Sequence, residues 1–140
     1  MRTQQVVIAI IKRADKYLLT KRVFFDEEDS GFGPYAWNIP GGGVEVGETL
    51  VAALTREVKE ELHVELASHI LMPKIFSESR FSWQGIFTTF FCRLKDENAE
   101  IIVNEEADEY GWFTLDEVRK LKTLPKTIEM LEEASKIVST

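Results

Sequence analysis

The chain has 140 residues, of which 44% are hydrophobic and 29% are charged, so its length and composition are those of one soluble globular domain. With a net charge of −7, the chain lacks the excess of basic residues that a surface for duplex nucleic acid needs. A small polyphosphate is still compatible with this charge, because a bound metal ion would supply positive charge near it. Cys92 is the single cysteine, which excludes an internal disulfide, and the apolar run at 6–11 is too short for a signal sequence or a membrane span. We therefore expect a cytoplasmic protein without a membrane or duplex nucleic acid as partner.

The N-terminal part of the chain predicts a β-hairpin followed by a long loop. Residues 4–12 form a β-branched apolar run that predicts a buried strand, and residues 17–23 predict a second strand after a tight turn. Residues 24–36 have no clear period, and a loop of this length in a compact domain is usually functional or disordered. Tyr35, near its end, would either stack on a base or anchor the loop to the body of the protein.

Residues 41–64 join a glycine-rich turn to an amphipathic helix, which we expect to run from about residue 48 to residue 62. Apolar side chains recur at helical spacing and fall on one stripe, which predicts a face buried against the core. The residues of this stripe are Val51, Leu54, Val58 and Leu62.

Three glutamates lie on an adjacent arc of the same helix. Glu57, Glu60 and Glu61 stand at i, i+3 and i+4, where side chains are neighbours. Their carboxylates repel one another unless a cation lies between them, and hard oxygen ligands of this kind suit Mg²⁺ or Mn²⁺. The alternative is a solvated helix face, which is what most charge runs are. Arg56 precedes Glu60 by four residues, so it can orient that side chain.

The C-terminal half predicts further strands and two helices. Cys92 falls within an aromatic strand, where a small buried hydrophobe is a better explanation than a reactive thiol. Thr114 and Glu117 form a capping-box pattern, and Pro125 precedes an amphipathic final helix. The predicted elements are a strand at 64–77 that Pro73 interrupts or ends, a turn at 77–83, strands at 85–94, 100–103 and 110–113, and helices at 115–122 and 126–137.

The segment 42–64 resembles the Nudix box, the signature of the Nudix hydrolases. The box ends its helix with a glycine, and His63 stands there instead. Histidine enters the left-handed conformation more readily than most side chains, so we expect a tolerated cap that affects the helix end and not the chemistry. The positions that carry the resemblance are Gly42, Glu48, Arg56, Glu57, Val58, Glu60, Glu61 and Val64.

The resemblance implies an α/β (α+β) Nudix fold, an α/β/α sandwich with a central mixed β-sheet, in one MutT-like domain over residues 1–140. It also implies hydrolysis of the pyrophosphate linkage of a nucleoside diphosphate linked to X, by attack of water at phosphorus with Mg²⁺ or Mn²⁺. A nucleoside triphosphate or a nucleotide sugar is the first expectation. A dinucleoside or non-nucleotide polyphosphate, a non-catalytic nucleotide-binding domain and a plain acidic interaction domain are the alternatives, and neither a monomer nor a homodimer is favoured.

Roles for individual residues follow from the same resemblance. The acidic loop at 104–109 offers a further metal ligand or base, for which Glu106 is the candidate by its spacing to Trp112, with Glu105 and Glu109 next. A solvated loop explains those glutamates equally well. The expected catalytic residues are Arg56, Glu57, Glu60 and Glu61, and the expected metal ligands are Gly42, through its carbonyl, Glu57, Glu60, Glu61 and Glu106.

Candidate substrate contacts lie outside the box. Arg22 ends the second predicted strand, where many family members place a basic residue against the substrate phosphate; a solvent-facing charge is the alternative. Specificity is expected to depend on the segments 24–36 and 77–89. The candidates are Arg22, Tyr35, Trp37 and Phe81, and packing explains the three aromatic residues equally well.

Overall fold

The computed structural model describes residues 2–22, 35–80 and 83–137, which form a mixed β-sheet with helices on both faces. The expected loop at 24–36, apart from its last two residues, lies outside the described residues. In chain order the elements are β1 (Arg2–Arg13), β2 (Lys16–Arg22), β3 (Trp37–Asn38), β4 (Gly41–Gly43), α1 (Leu50–Leu62), β5 (Leu66–Leu71), β6 (Phe76–Arg80), β7 (Trp83–Leu94), β8 (Ala107–Phe113), α2 (Leu115–Val118) and α3 (Thr127–Ser135).

The centre of the sheet is a parallel pair. Strand β1 runs beside β7 from the pair Arg2 and Trp83 to the pair Ile11 and Cys92. The other described pairings between strands are antiparallel: β1 with β2 and β4, β2 with β3 and β8, and β7 with β5 and β6. The sheet is therefore mixed, as expected, and the predicted hairpin of β1 and β2 is confirmed.

Successive side chains of β1 point to opposite faces of the sheet and enter two separate cores. Ile8 and Ile10 pack in the core that α2 and α3 cover, whereas Val7, Ala9 and Ile11 pack in the core that α1 covers. This arrangement confirms the expected α/β/α sandwich. Cys92 is fully buried in the α1 core, and burial raises the pKa of its thiol to about 12, as expected for a structural cysteine.

Helix α1 first packs against the core one turn later than the apolar stripe predicted. The Thr49 hydroxyl accepts a hydrogen bond from the Ala52 amide and caps the helix. Val51 was expected to be buried but is 41% exposed, because the first turn extends beyond the core, where Leu50 is also 38% exposed. The buried residues of α1 are Ala53, Leu54, Val58 and Leu62.

Two predictions between the box and the acidic loop were wrong. Residues 77–80 of the expected turn belong to β6, which pairs with β7 in antiparallel register. Residues 100–103 do not form a strand. The Ile102 amide donates to the carbonyl of Leu62, and Ile101 is buried in the α1 core, so this segment packs on the end of α1 instead of on a strand.

The C-terminal helices follow the prediction with shorter spans. The capping box is confirmed: the Glu117 amide donates to the Thr114 hydroxyl, and the Thr114 amide donates to the Glu117 carboxylate. Leu131 and Ala134 are fully buried, so α3 docks on the core as its stripe predicted. No helix within the described ranges is long and apolar enough to cross a membrane.

Candidate active site

The glycine segment, which was expected to be a turn, is the edge strand β4, and it lies directly against α1. Gly42 pairs with Val7 of β1. A Cβ atom at Gly42 would overlap the carboxylate of Glu57, so only glycine allows this approach. The Gly41 amide donates to Oε2 of Glu61 at 3.2 Å. The packing of β4 on α1 thus brings Glu57 and Glu61 onto the sheet edge.

Arg56 links the glutamates of the box to one another. Its Nε and Nη2 atoms donate to both carboxylate oxygens of Glu48, at 2.7 and 2.9 Å, and Nη1 donates to Glu57 at 2.8 Å. Nη2 also donates to the Gly43 carbonyl at 3.0 Å. Glu60, the partner expected from helical spacing, is contacted at 3.3 Å and is 57% exposed. Arg56 therefore fixes Glu57 more firmly than it fixes Glu60.

These contacts shift the pKa values of Glu48 and Arg56. Hydrogen bonds from Arg56, together with the Glu45 amide, lower the pKa of Glu48 to about 2. The Glu48 carboxylate in turn raises the pKa of the Arg56 guanidinium. Both groups are thus charged at neutral pH, which is what a rigid orienting pair needs.

Glu57 and Glu61 form a pair of carboxylates, and the ionisation of each affects the other. The Glu57 side chain is 13% exposed. Burial raises the pKa of Glu57, although Arg56 beside it acts in the opposite direction. Burial, and then the charge of Glu57, raise the pKa of Glu61 well above its ordinary value, although the Gly41 amide opposes this. Two partly buried carboxylates whose charges repel each other bind either a proton or a cation.

Glu106 lines a small cavity together with Glu61. Its charge contributes to the raised pKa of Glu61, and its amide donates to the Asn104 side chain at 3.1 Å. Among the described residues, Glu105 and Glu109 do not line this cavity, and Glu109 forms an ion pair with Lys21 at 3.0 Å. The cavity is lined by Thr20, Arg22, Asn38, Gly41, Glu61, Asn104, Glu106 and Ala107.

A second cavity of about 270 Å³ adjoins the first. The two cavities share three lining residues, Arg22, Asn38 and Gly41. Apolar walls with a few polar groups are typical of a site for a small molecule. The remaining walls of the second cavity are Arg2, Gln4, Val6, Ile8, Ile39, Gly42, Gly43, Trp83, Phe87, Leu124, Pro125, Thr127 and Met130.

The candidate substrate contacts fall in different places. Arg22 lies at the junction of the two cavities. Trp37 packs edge-on against Phe113, with ring centroids 5.0 Å apart, and Tyr35 is 58% exposed. Neither of these two residues lines either cavity in the described part of the chain. Phe81 lies outside the described residues.

Three polar residues that line the larger cavity were not predicted from the sequence, namely Gln4, Asn38 and Thr127. Each of them is a polar residue within or beside an apolar run, and Thr127 is 3% exposed. A polar side chain at a position that should face the core was the available signal.

The donor set around the box consists of oxygen atoms. In the described ranges, no three histidine, cysteine, aspartate or glutamate side chains converge closely enough to hold a metal ion in their present positions. In this arrangement Nη1 of Arg56 donates to both Glu57 and Glu60. The carboxylates of Glu57, Glu61 and Glu106 are nevertheless ligands of the type that a hard divalent cation prefers.

Comparisons with known proteins agree with this geometry. A model of the NUDIX domain matches residues 1–134. The nucleoside triphosphatase NudI of Escherichia coli O17:K52:H18 (strain UMN026 / ExPEC) is 34% identical over 122 residues, which cover 80% of this chain and 82% of that protein. Two solved structures share the fold at 23% identity: a MutT NUDIX hydrolase from Burkholderia pseudomallei (TM-score 0.80, covering 95% of this chain and 98% of that one) and a NUDIX hydrolase from Nitrosomonas europaea (TM-score 0.79, covering 96% and 89%). The box, the sandwich fold and these matches together establish that the chain belongs to the Nudix hydrolases and is a MutT-like enzyme of that family.

Proposed function

We propose that this enzyme hydrolyses the pyrophosphate linkage of a nucleoside triphosphate or a nucleotide sugar, by attack of water at phosphorus with the help of Mg²⁺ or Mn²⁺. The observation that carries the proposal is the pair of partly buried carboxylates, Glu57 and Glu61, held against β4 beside a cavity that Glu61 and Glu106 both line. A nucleoside triphosphate is our first choice, since the relative at 34% identity is named a nucleoside triphosphatase.

The residues that would hold the cation are Gly42, through its carbonyl, with Glu57, Glu60, Glu61 and Glu106. Glu60 is 57% exposed, so it can turn from Arg56 toward the cavity at little cost. A bound divalent cation would cancel phosphate charge and lower the pKa of the attacking water.

The chain's own residues then perform three tasks. Arg56, fixed by Glu48, keeps the Glu57 carboxylate on the sheet edge. The carboxylates of Glu57, Glu61 and Glu106 supply ligands and, from a group that is free of metal, the acceptor for the proton of water. Phosphoryl transfer requires mainly this positioning and charge neutralisation.

The larger cavity is the place that we propose for the nucleoside. It joins the carboxylate cavity at Arg22, so a nucleoside that packs against the wall formed by Trp83 and Phe87 would direct its phosphates past a guanidinium toward Glu61. The rings of Trp83 and Phe87 lie 6.0 Å apart in an edge-on arrangement, and they give the cavity an aromatic wall suited to a base. Arg22 would then contact phosphate.

We also propose that residues 1–140 act as a single domain in the cytoplasm. The two cores share strand β1, which ties α1 and the C-terminal helices to one sheet. Cys92 is a buried free thiol, which suits a reducing compartment. Fractionation of cells, with the protein followed by antibody, would test the location, and light scattering after size-exclusion chromatography would distinguish monomer from homodimer.

A substrate screen tests the proposed function. Purified protein is incubated with nucleoside triphosphates, UDP-glucose, ADP-ribose and dinucleoside polyphosphates, with Mg²⁺, Mn²⁺ or EDTA, and the products are separated by ion-exchange chromatography. We expect a nucleoside monophosphate and pyrophosphate from a triphosphate, and no turnover in EDTA. Release of a nucleoside diphosphate and phosphate would contradict the site of attack, and a lack of turnover with every compound would contradict the substrate class.

A further inference from the structure

The box helix of this chain ends on a histidine in a left-handed conformation. His63 has φ 58° and ψ 40°, and its amide donates to the Lys59 carbonyl at 3.0 Å. Glycine adopts this conformation without a side chain, whereas a side chain at such a position carries a cost in strain. The imidazole ring is therefore not needed for the helix cap itself, and the contacts that it makes require a separate explanation.

The ring contacts the segment that leads to Glu106. Nδ1 of His63 lies 2.6 Å from the carbonyl oxygen of Ile102, and because a carbonyl oxygen only accepts, Nδ1 is the donor. The Ile102 amide donates in turn to the carbonyl of Leu62 at 3.1 Å. Both polar backbone groups of Ile102 are thus bonded to the last turn of α1.

Three residues separate this attachment from Glu106, and the segment 101–107 has defined contacts of its own. Ile101 is 5% exposed within the α1 core. The Asn104 side chain accepts from the Glu106 amide at 3.1 Å, and its carbonyl accepts from the Ala107 amide at 3.2 Å. Glu106 then faces Glu61, which precedes His63 by two residues, so both acidic walls of the cavity are joined at the helix end.

We propose that His63 is a positioning residue that fixes Glu106 opposite the carboxylates of Glu57 and Glu61, and thereby sets the affinity of the site for its divalent cation. This proposal rests on the proposed function, because it takes Glu106 as a metal ligand. Loss of the ring leaves Ile102 hydrogen-bonded to α1 through its amide and no longer through its carbonyl, so Glu106 gains freedom that cation binding must then remove.

Two substitutions separate the ring contact from the cap. His63→Gly keeps the left-handed cap and removes the hydrogen bond to Ile102. His63→Asn also accepts the left-handed conformation, and its Nδ2 donor is as many bonds from Cα as Nδ1 of histidine. We expect the Mn²⁺ dissociation constant, measured by electron paramagnetic resonance of free Mn²⁺, to rise about 3- to 10-fold in His63→Gly and to recover mostly in His63→Asn.

A double-mutant cycle with Glu106→Gln tests whether His63 changes Mn²⁺ affinity through Glu106. If His63 acts through Glu106, His63→Gly changes Mn²⁺ affinity in the wild-type background and not in the Glu106→Gln background. The free energy of unfolding in urea serves as the second readout, and we expect it to be unchanged or higher in His63→Gly because glycine relieves the strained cap.

Four outcomes decide between the proposals. Wild-type Mn²⁺ affinity in His63→Gly, or an equal loss in both backgrounds, would overturn the positioning role while leaving the enzyme's function intact. Mn²⁺ affinity that falls only in proportion to a loss of folded protein would also overturn it. Wild-type Mn²⁺ affinity in both Glu57→Gln and Glu61→Gln would overturn the metal site itself, and with it this inference.

Discussion

Arg56 donates two hydrogen bonds to Glu48, from Nε at 2.7 Å and from Nη2 at 2.9 Å, and this pair fixes the position of the box carboxylates. A planar guanidinium matches both oxygens of a carboxylate, which gives direction as well as affinity. The third nitrogen, Nη1, is then aimed at Glu57 at 2.8 Å. Glu48 therefore acts on the site through Arg56, although it lies nine residues before Glu57 in the chain.

Replacement of Arg56 by lysine tests this relationship. Lysine keeps the charge but is a point donor, so it cannot bind both Glu48 oxygens and Glu57 at once. We expect kcat/KM for the best substrate of the screen to fall about 10- to 100-fold, as for other residues that orient metal ligands. Arg119→Lys is the matched control, since Arg119 binds Asp116 at the surface through Nη1 at 2.7 Å. Equal kcat/KM values in the two variants would argue against an orienting role for Arg56.

Gly42→Ala tests the close approach of β4 to α1. The added Cβ would overlap the Glu57 carboxylate, which must then move or lose Arg56. At Gly43 the nearest atom to an added Cβ is the flexible end of Gln4, at 3.0 Å, so Gly43→Ala is the milder control. We expect Mg²⁺-dependent turnover to fall much further in Gly42→Ala than in Gly43→Ala. A similar loss in both variants would show that the effect comes from β4 in general and not from Glu57.

The low pKa of Glu48, about 2, predicts a dependence of stability on pH. A carboxyl whose pKa is lower in the folded state stabilises the fold above its unfolded pKa, and this contribution is lost as pH falls toward the folded pKa. The free energy of unfolding of the wild type, relative to Glu48→Gln, should therefore decrease from about pH 6 to about pH 3. Urea denaturation at several pH values measures it, with Glu132→Gln as the control for loss of a surface carboxylate. A difference that is constant with pH would contradict the ion pair with Arg56.

The sequence predicted the elements whose pattern is local. The 41–64 segment was recognised because helical spacing, the glycines and the box all lie within one stretch of chain. The capping box of Thr114 and Glu117 is local in the same sense, since its two hydrogen bonds span three residues. Strand β6 was missed because the polar residues of 77–80 look like a turn until β7 is available to pair with them.

The site was predicted less completely, because its parts come from distant segments. Glu106 was identified by resemblance, but its approach to Glu61 depends on the packing of 101–106 against the end of α1. Asn38 and Thr127 line one cavity because α3 packs against the sheet. Residue spacing along the chain does not encode this packing. His63 was expected to matter for the helix end alone, and its bond to Ile102 had no signal in the sequence.

Hydrolysis by a Glu61→Gln variant tests the central claim most directly. Glutamine keeps the shape of the side chain and removes the charge that a cation would bind. Because burial raises the pKa of Glu61, loss of this charge should leave the free energy of unfolding unchanged or higher. The measurement is the Mg²⁺-dependent rate of pyrophosphate release from the best substrate of the screen, with Glu132→Gln as control. We predict a fall of about 100-fold or more in Glu61→Gln with full activity in the control; equal rates in the two folded variants would contradict the assignment of this carboxylate pair as the catalytic centre.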